Sequence, residues 1–316
     1  MTPGTVLKTW LFRLGGPEAA PIVLVQRRVF VLPTRAGLVF AICLLLMLAG
    51  SINYALSLGF ALTFLLAGLG IVHILHTFRN LARLEIAPLR CEPVFVGERA
   101  LFALELTNRR AEGRYALMFH RADAPPAVTD IAAADSARVT LAVATARRGR
   151  LRLGRVRVET RHPLGLVRAW SYVEPDVACL VYPCPEKSPP PLPPPSAEGS
   201  GMRQSRSGSE DFTGLRGHQP ADSPRHIAWK AVAREAPLLT KQFSGGAAAR
   251  VVLDWHGLPP ALDTEARLSR LTRWVLDAQQ QGLNYALRLP GRELPAGHGE
   301  VHFRACLEAL ALYGET

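Results

Sequence analysis

The chain has 316 residues and a formal net charge of +11, with 48% hydrophobic and 20% charged residues. This length allows two or three compact units with cores of ordinary size. A surface that binds nucleic acid would need aromatic residues interleaved with the basic ones. Few aromatic residues lie among the basic residues of this chain, so no nucleic-acid partner is expected. Five cysteines without a CxxC pair disfavour a structural zinc site or a redox pair, and are typical of free thiols in a reducing compartment.

The hydrophobic residues are concentrated near the N-terminus. No Asp, Glu, Lys or Arg lies in the 43-residue run from 36 to 78. This run is too long for one membrane span and fits two spans of about 20 residues. We predict helices near residues 36–50 and 56–75, joined by residues 51–54. A buried helical hairpin in a soluble core is the alternative, and a signal peptide fits less well because the run is long and begins late.

Basic residues flank this run on both sides. They are Lys8, Arg13, Arg27, Arg28 and Arg35 before it, and Arg79, Arg83, Arg90 and Arg99 after it. The predicted connection between the two helices has none. Because positive residues favour the cytoplasmic side, both ends of the hairpin and everything from about residue 80 onward are expected in the cytoplasm. The charge also fits contact with anionic membrane lipid.

From about residue 83 to residue 183 the hydrophobic pattern has a period of two. We predict strands at 101–106, 115–120, 138–143, 150–159 and 178–182, with Phe102, Leu104 and Leu106 on one face. Such short, half-buried strands indicate an antiparallel β-sandwich at residues 82–185. In the strand at 150–159, apolar residues alternate with Arg150, Arg152, Arg155 and Arg157, and the alternation is reset at Gly154. This stripe is either a solvated sheet face or a surface for lipid headgroups or an acidic partner.

The rest of the chain predicts a linker and an α/β part. Residues 186–207 are rich in Pro, Ser and Gly and indicate a spacer that is semi-rigid at first and then flexible. Further on we predict a helix at 224–234, a buried parallel strand at 250–254, a helix at 264–281 ended by Gly282, a strand at 284–289 and a helix at 300–313. Two strands separated by a helix indicate a βαβ unit.

Residues 208–234 form the densest motif, and this stretch resembles the signature of the bacterial domain-of-unknown-function 58 family. The matching positions are Glu210, Phe212, Leu215, Arg216, Asp222, Arg225, Ile227, Trp229, Lys230, Ala233 and Arg234. A second recurring stretch of that family is similar to Arg148, Gly149, Arg150, Gly154, Pro163, Leu164, Gly165 and Leu166. The chain departs from the family pattern at Ala221, where Gly is usual, and near His218, where an aromatic residue is usual.

The resemblance implies a protein of the bacterial inner membrane whose C-terminal part is similar to a von Willebrand factor A domain. It also implies a MoxR-class AAA-type ATPase as partner, and no established activity. The expected fold is therefore multidomain: residues 1–35 as a basic segment, 36–78 as the transmembrane hairpin, then the β-sandwich, the linker at 186–207, and a small α/β von Willebrand factor A-like domain at 208–316.

An A-domain metal site needs a DxSxS loop after its first strand. Here that strand ends in Asp254, Trp255, His256 and Gly257, without serine hydroxyls, so no Mg²⁺ or Ca²⁺ site and no cofactor are expected. His218, Asp222 and His226 have a helical spacing of four, but Pro220 and Pro224 interrupt such a helix, which disfavours zinc.

These observations favour a non-enzymatic membrane scaffold or accessory protein that docks the ATPase or neighbouring membrane proteins. The motif residues then serve either as a partner-docking surface or as an ion-paired structural element. Two alternatives remain: a hydrolase using His218, Asp222 and His226, and a basic binder of anionic lipid or nucleic acid using the face at 150–157.

Overall fold

The computed structural model describes residues 16–195, 211–217, 239–244 and 250–314, with only the backbone course at 211–217 and 239–244. The chain divides into two compact units. One contains the residues up to Cys184 together with those from Leu310 onward, and the other runs from Pro185 to Ala309.

Two long apolar helices form the predicted hairpin. They are α1 (Arg35–Asn53) and α2 (Ser57–Leu81), of 19 and 25 residues, and both are long and apolar enough to cross a membrane. Only 11% of each apolar window is buried, which argues against the alternative of a hairpin inside a soluble core. The connection between the helices begins later than the predicted residues 51–54, because α1 continues to Asn53. The Ser51 hydroxyl donates to the Met47 carbonyl oxygen (2.8 Å) and so belongs to the helix.

Small residues allow α1 and α2 to approach each other closely. A Cβ atom on Gly59 would lie 2.3 Å from Ser51 Oγ, and one on Gly70 would lie 3.2 Å from Phe40 Cε1. The Thr63 hydroxyl is buried and donates to the Gly59 carbonyl oxygen at 2.8 Å. Close backbone approach at small residues is typical of helix pairs in membranes.

The remainder of this unit is a β domain. Its strands are β1 (Ile22–Val23), β2 (Phe30–Pro33), β3 (Glu85–Pro88), β4 (Val94–Phe95), β5 (Arg99–Thr107), β6 (Arg114–Arg121), β7 (Ala124–Ile131), β8 (Ser136–Ala144), β9 (Gly149–Arg152), β10 (Val156–Thr160), β11 (Val167–Val173) and β12 (Ala178–Tyr182). The sheet orders are β1-β3-β5-β8, β2-β11-β10-β6-β7 and β4-β12-β9. The two larger sheets are antiparallel and share one core, which includes Phe102, Leu104, Phe119 and Val158.

Several strand predictions are confirmed. The strands β5, β6, β8 and β12 cover the predicted positions, and Phe102, Leu104 and Leu106 are fully buried on one face of β5. The segment before the hairpin, predicted as a separate basic region, contributes β1 and β2 to the sheets. Strand β7 was not predicted because it contains Pro125 and Pro126, which are tolerated there since β7 is an edge strand.

The prediction of one strand at 150–159 was wrong. Gly154 adopts a left-handed conformation (φ +66°) and divides this segment into β9 and β10, which belong to different sheets. Arg150 and Arg152 lie on β9, Arg157 lies on β10, and Arg155 lies between the two strands. The predicted stripe is therefore not one continuous strand face. The hypothesis of a lipid or nucleic-acid surface at 150–157 depended on one continuous strand, and the structure does not contain that strand.

The second unit contains two small sheets. Strands β13 (Asp211–Gly217) and β14 (Leu239–Ser244) pair antiparallel. Strand β15 (Arg250–Asp254), helix α3 (Thr264–Gln280) and strand β16 (Asn284–Leu289) form the predicted βαβ unit, with β15 and β16 parallel. Strand β17 (Arg292–Gly297), which was not predicted, adds antiparallel to β16, and helix α4 (Gly299–Ala311) follows.

Local sequence signals account for the bounds of α3. The Asp263 carboxylate accepts from the Ala266 N–H at 2.7 Å and caps the first turn. Gly282 ends the helix as predicted, with a φ of +64° that suits glycine. Leu268, Leu271 and Val275 are fully buried on one face.

The start of the predicted linker contacts α3. The Arg270 guanidinium donates to both carboxylate oxygens of Glu186, at 2.8 and 3.0 Å, and Trp274 Nε1 donates to the Pro190 carbonyl oxygen at 2.9 Å. The Arg270 hydrogen bonds lower the pKa of Glu186 below its ordinary value. Residues 186–190 are therefore fixed on the α/β part, whereas residues 196–207 lie outside the described part of the chain.

Candidate functional site: the junction of the hairpin and the β domain

Helix α2 is longer than a membrane crossing requires. Its 25 residues extend about 37 Å, whereas the hydrocarbon core of a bilayer is about 30 Å thick. The excess of about five residues corresponds to the last turns of the helix, where Thr77, Asn80 and Leu81 are buried. These turns pack against β6, β10 and β11, so α2 ends inside the β domain.

Asn80 joins the end of α2 to two strands. Its Nδ2 donates to the Tyr115 carbonyl oxygen and to Thr160 Oγ1, both at 2.8 Å. Its Oδ1 accepts from the Tyr115 N–H at 3.1 Å. The amide thus makes three hydrogen bonds at a buried position, and each fixes the helix end relative to β6 or β10.

Arg114, the first residue of β6, is the largest fully buried side chain of the described residues, with an exposed fraction of 1%. Its guanidinium donates to the carbonyl oxygens of Asn80 (2.6 Å) and Ala82 (2.9 Å), and its Nε donates to Asn108 Oδ1 (2.9 Å). Burial, with a smaller contribution from the charge of Arg110, lowers the pKa of Arg114 to about 10. The guanidinium therefore stays charged at neutral pH.

A second arginine binds the same helix end. Arg110 Nη1 donates to the Arg79 carbonyl oxygen at 2.7 Å. The last carbonyl groups of a helix lack intrahelical donors and carry partial negative charge. Two arginines from the β domain thus supply hydrogen bonds and positive charge where α2 ends.

The loop between β10 and β11 binds both helices of the hairpin. On the α2 side, the Thr77 hydroxyl donates to the His162 carbonyl oxygen at 2.9 Å. On the α1 side, the Thr34 hydroxyl donates to the Gly165 carbonyl oxygen (2.6 Å), and the Thr34 N–H donates to that of Leu166 (2.9 Å). This loop contains residues 163–166, part of the second stretch on which the family resemblance depends.

Gly37 allows this loop to lie against α1. A Cβ atom at this position would lie 1.9 Å from the Leu166 carbonyl oxygen, far inside van der Waals contact. The obstacle is backbone and not the end of a flexible side chain. The close packing of α1 on the β10–β11 loop therefore requires glycine at position 37.

Three cavities open around this end of the hairpin, with volumes of about 760, 360 and 510 Å³. Two carboxylates, Glu85 and Glu112, line them together with nine arginines. The arginines are Arg27, Arg35, Arg79, Arg83, Arg109, Arg110, Arg114, Arg161 and Arg168. Guanidinium groups bind phosphate and carboxylate oxygens through charge-assisted hydrogen bonds, so these cavities suit anionic groups.

The sequence of α2 contains a signal for the junction, although no site was predicted there. His73, Thr77 and Asn80 are spaced by four and three residues and lie on one face of α2, and all three are buried. Polar residues at helical spacing within an apolar run mark a face that contacts protein. Their partners, such as Tyr115 and Thr160, have no pairing signal in the sequence.

The structure describes only part of the motif at residues 208–234. Phe212, Leu215 and Arg216 lie on β13, where they are opposite Phe243, Lys241 and Thr240 of β14. The other motif residues lie outside the described residues: Glu210, Asp222, Arg225, Ile227, Trp229, Lys230, Ala233 and Arg234. His218 and His226 of the proposed hydrolase also lie there.

The loop after β15 has a local structure of its own. The Asp254 carboxylate accepts from the His256 N–H at 2.9 Å, and the Arg267 guanidinium lies 5.3 Å from the centre of the Trp255 ring. Across residues 16–195 and 250–314, no group of three or more His, Cys, Asp or Glu side chains is placed to hold a metal ion.

Two cysteines that are far apart in the sequence are neighbours in the β domain. Both thiols are buried; the Cys91 thiol donates to the Leu101 carbonyl oxygen (3.4 Å) and the Cys179 thiol to that of Glu92 (3.2 Å). The neighbouring Cys91 thiol, together with burial, raises the pKa of the Cys179 thiol. Both thiols are free.

No protein-family model matches the chain, and no curated protein matches it. The resemblance to the domain-of-unknown-function 58 family therefore depends on the residues of the two stretches at 148–166 and 208–234 alone.

Proposed function

We propose that this protein is a non-enzymatic membrane scaffold of the bacterial inner membrane. Its hairpin crosses the membrane twice, its β domain stands on the cytoplasmic surface, and its C-terminal part docks a soluble partner. By resemblance, that partner is a MoxR-class AAA-type ATPase, and the C-terminal part is a small von Willebrand factor A-like domain.

The junction is the observation that carries this proposal. A flexible tether would be enough to keep a soluble domain near a membrane. Here the end of α2 is instead buried in the β domain and held by Asn80, Thr77, Arg110 and Arg114. Such a connection keeps the β domain at a fixed height and orientation, which is what a scaffold requires.

The charge distribution supports the cytoplasmic orientation. The nine arginines that line the three cavities lie at the end of the hairpin where α1 begins and α2 ends. The connecting turn at residues 54–56 has no charged residue. Positive charge at one end and none at the other supports a β domain on the cytoplasmic side under the positive-inside rule.

Docking is assigned to the motif at 208–234, in which Arg225 and Lys230 supply positive charge for an acidic partner surface. The test is co-purification of the tagged full chain from detergent-solubilised membranes, with bound proteins identified by mass spectrometry. We expect an AAA-type ATPase with the unaltered chain and its loss with the double variant Arg225→Ala and Lys230→Ala.

The matched control is the double variant Arg99→Ala and Arg152→Ala, which removes the same charge from exposed positions of the β domain. It is expected to retain the ATPase. An ATPase that binds the Arg225→Ala and Lys230→Ala variant as well as the unaltered chain would contradict the docking role.

A further inference from the structure

One of the three cavities is lined by positive charge without any carboxylate. It has a volume of about 510 Å³ and lies beside the start of α1, where Arg35, Arg161 and Arg168 line it. This volume is within the range of about 300–1,000 Å³ that is typical of ligand pockets. Thr34 and Gly165 are also among its lining residues, so the cavity is built on the junction described above.

Neighbouring side chains hold two of these arginines in place. The Arg168 guanidinium lies 4.8 Å from the centre of the Trp170 ring, and that ring packs against Phe30 with 5.9 Å between centres. Arg161 forms an ion pair with Glu159 (3.0 Å), a carboxylate that is 1% exposed. The guanidinium groups are thus partly preorganised, which lowers the cost of ordering them around an anion.

An apolar face begins directly at the cavity. Leu38, Val39 and Ile42 of α1 are exposed, and their spacing from Arg35 is three, four and seven residues, so all four lie on one face of the helix. Leu32 on β2 and Leu164 in the β10–β11 loop are exposed large apolar side chains near the same place. A ligand that fits this surface has an anionic group and a hydrocarbon chain.

We propose that this cavity binds the phosphate of an anionic phospholipid, whose acyl chain lies along the face formed by Leu38, Val39 and Ile42. The inference rests on the proposed anchoring of the hairpin in a membrane. It goes further, because it assigns a binding site to Arg35, Arg161 and Arg168. Free inorganic phosphate would bind the arginines but would not contact the apolar face. A zwitterionic lipid would contact the apolar face, but its neutral headgroup would be attracted less strongly by three guanidinium groups.

The test is native mass spectrometry of the full chain released from nanodiscs that contain equal amounts of dioleoylphosphatidylglycerol and dioleoylphosphatidylcholine. The unaltered chain is expected to retain phosphatidylglycerol preferentially. Each basic residue near a membrane surface changes the affinity for anionic lipid by about fivefold. The double variant Arg35→Gln and Arg168→Gln should therefore lose roughly thirtyfold of this preference, and Arg35→Gln alone about fivefold.

The matched control is Arg99→Gln with Arg152→Gln, which removes the same charge from exposed positions on β5 and β9. Residue 99 is at the far end of β5, about 27 Å from Thr107 near the hairpin. An equal loss of preference in this control would show that only net charge matters and would overturn the site. Equal retention of the two lipids by the unaltered chain would also overturn it.

A second measurement separates lipid from free anion. The unfolding temperature of the full chain in neutral detergent should rise with added phosphatidylglycerol and stay unchanged with the same concentration of inorganic phosphate. An equal rise with both would mean that the cavity binds free phosphate and not lipid.

Resistance of the chain to carbonate extraction tests the anchoring by itself. The Arg35→Gln and Arg168→Gln variant should remain in the membrane, so failure of the lipid site and failure of the anchoring are distinguishable.

Discussion

Replacement of Gly37 by alanine tests the junction at a single atom. The added Cβ would lie 1.9 Å from the Leu166 carbonyl oxygen, so the loop must move by more than about 1 Å to restore a contact of ordinary length. That movement would strain the hydrogen bonds from Thr34 to Leu166 and Gly165. Overpacking costs about 1–3 kcal/mol and each of the two neutral hydrogen bonds about 1 kcal/mol, whereas the better helix propensity of alanine returns about 1 kcal/mol. We therefore expect a net loss of about 2–4 kcal/mol.

Gly50→Ala is the matched control, because Gly50 lies in the same helix and a Cβ there would have no atom within 4 Å. Alanine is the better helix former by about 1 kcal/mol, so this variant should be as stable as the unaltered chain or slightly more stable. The assay is thermal unfolding of both full-length variants in the same detergent. Since 1 kcal/mol corresponds to about 2–4 °C for a unit of this size, Gly37→Ala should unfold about 4–16 °C lower. Equal unfolding temperatures for the two variants would refute the close contact between α1 and the β10–β11 loop.

Two further changes test the junction and an ion pair elsewhere in the β domain. Asn80→Ala removes three buried hydrogen bonds and should lower the free energy of unfolding by about 2–4 kcal/mol. Asn53→Ala, at the exposed end of α1, is the control and should change the free energy of unfolding by less than about 0.5 kcal/mol. Denaturant titration in detergent measures both values. Burial alone would raise the pKa of Glu18, but the hydrogen bonds and charge of Arg28 outweigh it and lower the pKa below its ordinary value of 4.5. The stabilisation by Glu18 is therefore present above pH 4.5 and lost as the pH falls through the lowered pKa. Glu18→Gln should unfold more readily than the unaltered chain by about 1 kcal/mol at pH 7, and this difference should shrink as the pH falls below 4.5. A difference between the two proteins that does not depend on pH would contradict this assignment.

The sequence was sufficient to predict the hairpin and much of the β domain, because both have strong periodic or compositional signals. The charge-free run predicts two helices, and the alternation in β5 predicts its buried face. Helix ends were less accurate, since Ser51 is compatible with a turn and its hydrogen bond to Met47 appears only in the structure. The sequence also does not predict that β9 and β10, on either side of Gly154, belong to different sheets. A glycine in an alternating pattern does not show which strands will pair on each side of it.

The junction was beyond prediction for a different reason. Asn80 and Arg114 are polar residues, and apart from Asn108 all the partners described above lie more than 30 positions away in the sequence. Backbone acceptors are the same for every residue type, so no pattern indicates them. The arginines of the cavities come from several distant segments, and only the tertiary fold brings Arg35, Arg161 and Arg168 together.

The most direct test of the central claim is the membrane topology of the full chain. Green fluorescent protein fused to the C-terminus fluoresces only if that end is cytoplasmic, and alkaline phosphatase inserted after Ala55, in the turn between α1 and α2, is active only if the turn is outside the cytoplasm. We predict a fluorescent C-terminal fusion and an active phosphatase in the turn, both in the membrane fraction. A C-terminal alkaline phosphatase fusion that is active, or a fluorescent fusion that remains in the soluble fraction, would contradict a scaffold that stands on the cytoplasmic face.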